Sequence, residues 1–257
     1  MMKLQRAQIL HLLPLLSPLT LLLFWEILAR TGFIDIRLYS SPTLIASTFL
    51  PLLYSGELAY NTLISVQRVL LGFLLGSLPG ILLGISMGLS PVIRTLIEPL
   101  IAATYPIPKL AVMPLILLVF GIDETSKVFT IAIGVFYLVV INTLAGVVNI
   151  DKIYLDVAKN FGANRKDFYL TVALPGALPM IFAGLKLGMG MALILIVAAE
   201  MSAAKAGVGW MIWRSYDMFD IETMFVALIT LSILGYIFSL VLDGVEKIVL
   251  PWKKQDY

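Results

Sequence analysis

Apolar runs of about twenty residues or more recur along the chain, separated by short polar segments, and this pattern restricts the fold before any motif is read. A helix needs roughly 20 apolar residues to cross a bilayer's hydrocarbon core. Such runs lie at about residues 12–30, 61–89, 92–120, 127–149, 176–201 and 223–247. Composition agrees: of 257 residues, 60% are hydrophobic and 13% charged, far from the balance of a soluble domain. The class this predicts is an all-α integral membrane protein with six transmembrane helices. No linker, repeat or low-complexity tract divides it, so residues 1–257 read as one domain with a helical core at about 12–247.

Six spans leave both termini on one side. Placing them in the cytoplasm puts Lys3, Arg6, Arg94, Lys152, Lys159, Arg165, Lys166, Lys247, Lys253 and Lys254 inside. Arg30, Arg37, Lys127, Lys205 and Arg214 then fall outside, the asymmetry the positive-inside rule expects. The segment at about 151–175 becomes cytoplasmic. Lys3 and Arg6 precede a leucine-rich run as in a secretory leader, but the run continues through Phe24-Trp25-Glu26-Ile27 without a small-residue cleavage site and reads as a retained helix.

Several function classes are excluded at this stage. The chain has no cysteine and one histidine, His11, so thiolate chemistry and histidine-based metal or catalytic clusters have no residues to use. A net charge of +2 with scattered cations does not suit nucleic acid. No G-x-x-x-x-G-K-[ST] loop is present to cradle a nucleotide's phosphates. Any ATP-driven process must draw on another subunit.

Three internal features stand out. Gly72, Gly76, Gly80, Gly84 and Gly88 recur every fourth residue in the second run, and small residues at that period let another helix backbone approach closely. Four residues turn a helix by about 400°, so the stripe winds, and one partner or two in succession would follow it. The third run is broken at Tyr105-Pro106-Ile107-Pro108-Lys109 and again at Pro114, and broken backbone at membrane depth lines a cavity or is buried in protein. Arg68, Lys109, Lys186, Glu98 and Glu200 are ionisable groups within spans, with Asp243 near a span end, and such groups are functional candidates by default. Pro106, Pro108, Lys109, Pro114, Arg68 and Lys186 are therefore the candidate pathway residues. Lys109 serves either an anion route or a structural contact; Lys186 snorkels or pairs with a carboxylate such as Glu98; Glu200 reads as a structural partner for a basic or hydroxyl group. Residues 44–53 form a mildly amphipathic surface piece, and Trp210, Trp213 and Tyr216 in the 203–222 loop suit an interfacial belt.

Residues 156–175, DVAKNFGANRKDFYLTVALP, are the one sizeable polar insertion. Asp156 to Phe161 and Asn164 to Thr171 read as short helices, Gly162 gives the bend its permissive backbone, and Leu174-Pro175 ends the polar part because proline cannot continue a helix. Asp156-Val157-Ala158, three residues, Gly162, nine residues, then Val172-Ala173-Leu174-Pro175 resembles the EAA loop of permease subunits of bacterial ABC importers, whose pattern is E-A-A, three residues, G, nine residues, I-x-L-P. Asp stands for Glu and Val for the first Ala. Further matches are to the nitrate, sulfonate, taurine and bicarbonate transport type: Ser41-Pro42-Thr43, residues 65–73 (SVQRVLLGF), Pro106-Ile107-Pro108 with Met113-Pro114-Leu115, Phe120-Gly121-Ile122 to Ser126-Lys127, Asn142-Thr143, Ala198-Ala199-Glu200-Met201 and Pro251-Trp252.

The resemblance implies a type I ABC importer permease fold in the bacterial plasma (inner) membrane, with Asp156, Val157, Ala158, Gly162, Ala163, Leu174 and Pro175 in an ATPase-coupling loop. It implies two cytoplasmic ATPase subunits holding ATP and Mg, an extracytoplasmic substrate-binding protein and a second permease copy, most simply as a homodimer. The chain itself would be non-catalytic and hold no cofactor or metal. A small anion is the expected cargo, with an uncharged vitamin precursor or heterocycle as the alternative within that architecture, and a passive channel as the alternative outside it.

Overall fold

A computed structural model describes residues 2–252, and the side chains of residues 16–252 other than Lys159 and Arg165. Lys253 and Lys254, and the side chains of Lys3, Arg6 and His11, lie outside the described residues. In chain order the helices are α1 (Met2–Arg30), α2 (Ile36–Tyr39), α3 (Pro42–Tyr54), α4 (Glu57–Leu89), α5 (Pro91–Thr104), α6 (Met113–Phe120), α7 (Glu124–Val148), α8 (Lys152–Asn160), α9 (Arg165–Phe168), α10 (Leu174–Ala203), α11 (Val208–Asp217) and α12 (Ile221–Val249). A π-helical turn, Tyr169–Ala173, joins α9 to α10.

Among the described residues, four helices are long and apolar enough to cross a bilayer: α4, α7, the continuous run Lys166–Ala203, and α12. The third apolar run is two helices, α5 and α6, about 21 and 12 Å long at 1.5 Å per residue, with residues 105–112 between them. Pro106 and Pro108 withdraw two backbone donors there, so the helical ladder stops even though Tyr105, just before Pro106, still holds α-region backbone at φ −57° and ψ −44°. The second interruption expected at Pro114 is absent. Pro114 sits in the first turn of α6, where its missing N–H would have had no partner anyway.

The chain divides into two compact units. The smaller comprises Met1–Tyr60 and Met211–Ile229. Within it Glu26 ties α1 to α3, accepting from the Thr43 N–H at 3.1 Å and hydroxyl at 2.9 Å while Arg30 Nε donates at 2.6 Å. The Trp25 and Phe225 rings meet at 5.3 Å. Half of the stretch expected as a loop at 203–222 is α11, its end closed by Phe219 in the left-handed region at φ 57°. The Asp220 N–H donates to Ser215 O and the Phe219 N–H to Tyr216 O, the Schellman pattern that usually takes glycine.

The larger unit, Asn61–Trp210 and Thr230–Tyr257, is organised by α4, α7 and α10. A Cβ placed on Gly72, Gly76, Gly80, Gly84 or Gly88 would meet, respectively, Ile131, Ala132 with Val135, Phe136 with Val139, Val140 with Thr143, and Val147. The whole stripe thus faces one partner, α7, in a matching four-residue register, and α4 and α7 run in the same direction. A contact period of four exceeds 3.6, so the pair stays in touch by wrapping right-handedly. On the other side of α7, Gly134 meets Leu195, Gly184 meets Asn142 and Gly146 meets Met180, which makes α10 antiparallel to α7. Val69, Phe73, Ile131, Val135, Val139, Ala192, Leu195 and Ile196 fill the space between the three.

Candidate functional site

The polar insertion is built from α8, a glycine bend, α9 and the π turn. Gly162 has φ +68°, and the Ala163 N–H reaches back to Ala158 O at 3.0 Å, the six-to-one bond of a Schellman cap. Among the described residues, no atom lies within 4 Å of where a Gly162 Cβ would stand, so it is the backbone conformation at φ +68° that asks for glycine there. Asn164 then caps α9 by accepting from the Asp167 N–H at 2.9 Å and donating to Asp167 Oδ2 at 2.6 Å. Leu174-Pro175 does not end this helix, contrary to the sequence expectation. The π turn widens the backbone just before Pro175, with the Leu174 N–H bonded five residues back to Tyr169 O, and the proline enters the first turn of α10. Widening relieves the clash between a proline ring and the carbonyl four residues earlier.

These turns wrap an open, largely apolar cavity of about 600 Å³, lined by Ile150, Tyr154, Val157, Ala158, Phe161, Ala163, Thr171, Val172, Pro175, Gly176, Pro179 and Trp252. Val157, Ala158, Ala163 and Pro175 of the named coupling residues share its wall. Phe161 is 87% exposed, a large apolar side chain on a polar segment, which marks a contact surface. The sequence reading did not assign Tyr154, Phe161 or Trp252 to this surface, Phe161 entering only as a helix end and Trp252 only in the Pro251-Trp252 match; their signal was aromatic residues inside or just after polar stretches.

At the break between α5 and α6, a second cavity of about 400 Å³ is lined by Tyr105, Pro106, Ile107, Pro108, Lys109, Leu110, Gly134, Leu138, Met191, Ile194 and Leu195. Lys109 Nζ donates to Thr104 O at 3.0 Å and Tyr105 O at 3.2 Å, and lies 4.0 Å from the Tyr137 ring centroid. A cation at a helix C-terminus satisfies orphan carbonyls and meets the negative end of the helix dipole. Tyr137 OH completes the arrangement by donating to Thr104 Oγ1 at 2.8 Å. Pro106, Pro108 and Lys109 are thus brought together, while Pro114, Arg68 and Lys186 are not among the residues lining this cavity.

Arg68 belongs to a buried ionic tie. It is 5% exposed, and Nε and Nη2 form a two-pronged bond to Glu124 at 2.5 and 2.6 Å. Nη1 donates to Glu200 Oε1 and Ala206 O, each at 2.7 Å. Glu200, 1% exposed, also accepts from Ser65 Oγ and from the Gly209 N–H at 2.8 Å. Asn61 Oδ1 accepts from the Gly207 N–H and Ser65 Oγ from the Val208 N–H, so the first amides of α11 are capped by side chains of α4 and α10. Asn61, Ser65 and Arg68 stand at i, i+4 and i+7, one face of α4. That polar stripe on an apolar helix was visible in the sequence, although Asn61 and Glu124 were not singled out and Lys127 entered only as an outer cation and within the Ser126-Lys127 match. The tie closes the end of α7 and α10 away from the 150–175 segment.

Lys186 pairs with Asp243 and Glu246 of α12, each at 2.5 Å. Glu98 instead binds Arg94 one turn earlier at 2.8 Å, which corrects the Lys186–Glu98 pairing. Two carboxylates on one ammonium leave no net positive charge there for an anion.

Residues 80–255 match the family described as binding-protein-dependent transport system inner membrane component. The putative aliphatic sulfonates transport permease protein SsuC of Escherichia coli K12 is 33% identical over 244 residues, 95% of this chain and 93% of that one. The riboflavin transport system permease protein RibX of Chloroflexus aurantiacus is 36% identical over 233 residues, 91% and 87% of the two chains. Among solved structures, an inward-facing form of the MetNI methionine ABC transporter shares the fold with TM-score 0.60 and 16% identity, covering 77% of this chain and 98% of that one.

Proposed function

Because this chain belongs to the family of binding-protein-dependent transport system inner membrane components, we propose that it lines the membrane pathway of an ATP-driven importer carrying a small organic anion of the sulfonate type. The chain is a non-catalytic membrane subunit. In this reading ATP and Mg are held by two partner ATPase subunits in the cytoplasm, and a binding protein delivers cargo on the other side. Both termini and the 150–175 segment face the cytoplasm.

Six spans are supported by direction. Since α4 and α7 run parallel, the chain recrosses between them, and only α5, residues 105–112 and α6 occupy that interval. On α6, Leu118 is 82% and Val119 74% exposed, a face suited to lipid or to a second copy in a C₂ pair. The cavity around 150–179 and the exposed Phe161 support docking of an ATPase there, with Asp156, Val157, Ala158, Gly162, Ala163, Leu174 and Pro175 as the coupling segment.

The observation that carries the cargo class is the cavity at the α5–α6 break. Its walls are apolar, and among the described residues Lys109 is the one charged group that lines it and no carboxylate does. An alkyl body can use such walls and an acid group can use the lysine. Nitrate and bicarbonate have no apolar body to place there. A neutral heterocycle is the second reading, favoured by the RibX relative and by Tyr105 on the wall. Uptake of labelled ethanesulfonate, taurine, nitrate and riboflavin into proteoliposomes holding the whole complex tests the choice. Sulfonate uptake that falls in Lys109→Met while ATP hydrolysis persists supports the anion reading; uptake of riboflavin alone refutes it.

A further inference from the structure

Lys127 joins the ionic tie from the side, and its position gives Glu124 a second meaning. Lys127 is 2% exposed. Its Nζ donates to Asp123 O at 3.1 Å and lies 3.7 Å from Glu124 Oε1. Glu124 Oε1 therefore sits between two buried cations, Arg68 Nη2 at 2.6 Å and Lys127 Nζ, while Oε2 lies on Arg68 Nε at 2.5 Å. The Glu124 side chain itself is 66% exposed. Arg68's other edge is fixed on Glu200 and Ala206, and Glu200 is held by Ser65 and Gly209. The cradle thus keeps its shape whether or not Glu124 fills it, and its occupant can exchange with solvent without opening the core.

We propose that this cradle is an oxyanion site for the sulfonate group of the cargo, with the Glu124 carboxylate as its resident stand-in. It rests on the anionic cargo proposed above. A sulfonate presents two oxygens at the spacing a guanidinium fork receives, and its third oxygen falls toward Lys127. The charges facing the cradle are Arg68 and Lys127 against Glu124, Glu200 and Asp123, whose carboxylate also acts on Lys127. With Glu124 in place the set is negative by one and repels anions; with Glu124 displaced it is neutral and its donors are free. Lying at the end of α7 and α10 away from the coupling segment, the cradle is where cargo enters, and Glu124 returns to release it.

Calorimetric titration of the full chain in lipid nanodiscs at low salt tests this, with ethanesulfonate, sulfate and chloride as probes. Glu124→Ala is expected to bind ethanesulfonate about tenfold more tightly than the native chain, the worth of one charge-assisted bond. Adding Lys127→Met should abolish the gain. Glu124→Gln, which keeps the shape and loses the charge, should gain less. A ligand-dependent rise in unfolding temperature gives the same ranking should a variant be too unstable to titrate. No saturable binding in Glu124→Ala, a gain that survives Lys127→Met, or chloride binding as tight as ethanesulfonate would overturn the proposal. Uptake by the native complex is scored separately. Sulfonate uptake without binding in Glu124→Ala removes the cradle and leaves the cargo class; binding in Glu124→Ala with uptake of a neutral heterocycle alone keeps the cradle and removes the cargo class.

Discussion

Replacing each glycine of the α4 stripe by alanine adds one methyl group at a known place against α7, so the outcome can be worked out position by position. Helix propensity alone favours alanine by about 1 kcal/mol. Against this stands overpacking, typically about 1–3 kcal/mol where nothing can yield. At Gly76 the new Cβ runs into the Ala132 carbonyl oxygen and lies 2.9 Å from Val135 Cβ; backbone cannot step aside, and a net loss of about 1–2 kcal/mol follows. Gly88→Ala meets Val147 Cβ and Cγ1 at 2.5 Å, a β-branched side chain with little rotamer freedom, and should be as costly. Gly80 has its nearest atoms, Phe136 O and Val139 Cβ, at 3.1 Å, so a small shift suffices and the two effects nearly cancel. Gly190 and Gly244 have nothing within 4 Å among the described residues and serve as controls that gain. In thermal unfolding of the purified chain, at about 2–4 °C per kcal/mol for this length, Gly76→Ala and Gly88→Ala should melt several degrees below Gly80→Ala, and the controls at or above the native chain. A Gly76→Ala protein as stable as Gly190→Ala would refute the close contact between α4 and α7.

Gly162→Val should strain a backbone at φ +68° by about 1–2 kcal/mol; because the position is open, the loss should appear as lowered binding-protein-stimulated ATP hydrolysis rather than as a failure to insert, and native coupling in the variant would count against the role of this bend. Glu200→Ala should destabilise by about 3–5 kcal/mol, since it strips a carboxylate from Arg68, Ser65 and the Gly209 amide at once, as read by a thermal melt. Lys186→Met should cost no more than about 1 kcal/mol and be partly restored by Asp243→Asn, which removes one of the two carboxylates left facing each other.

The long apolar runs placed α4, α7, α10 and α12 to within a few residues, because membrane length and backbone satisfaction leave a helix little choice. The glycine stripe declared a close contact but not its partner: α7 carries Ile131, Val135, Val139, Thr143 and Val147, ordinary residues with no small-residue mark of their own. Pro106 and Pro108 announced the break, whereas Pro114 and Pro175 looked alike on paper and both proved to begin helices, a distinction set by neighbouring turns. Helix α11 was hidden because two of its first amides are capped by Asn61 and Ser65, more than 140 residues earlier in the chain. Ion pairing was the least legible, as with Lys186, whose partners lie sixty residues away on α12.

Proteoliposomes containing this chain, its ATPase and its binding protein offer the most direct test of driven import through this subunit. ATP supplied on the ATPase side, with cargo-loaded binding protein on the other, should drive labelled ethanesulfonate inward against its gradient, and leaving out ATP, ATPase or binding protein should each reduce uptake to the leak. Sulfonate that equilibrates at the same rate without ATP, and never accumulates beyond its outside concentration, would contradict the account and mark the chain as a passive channel.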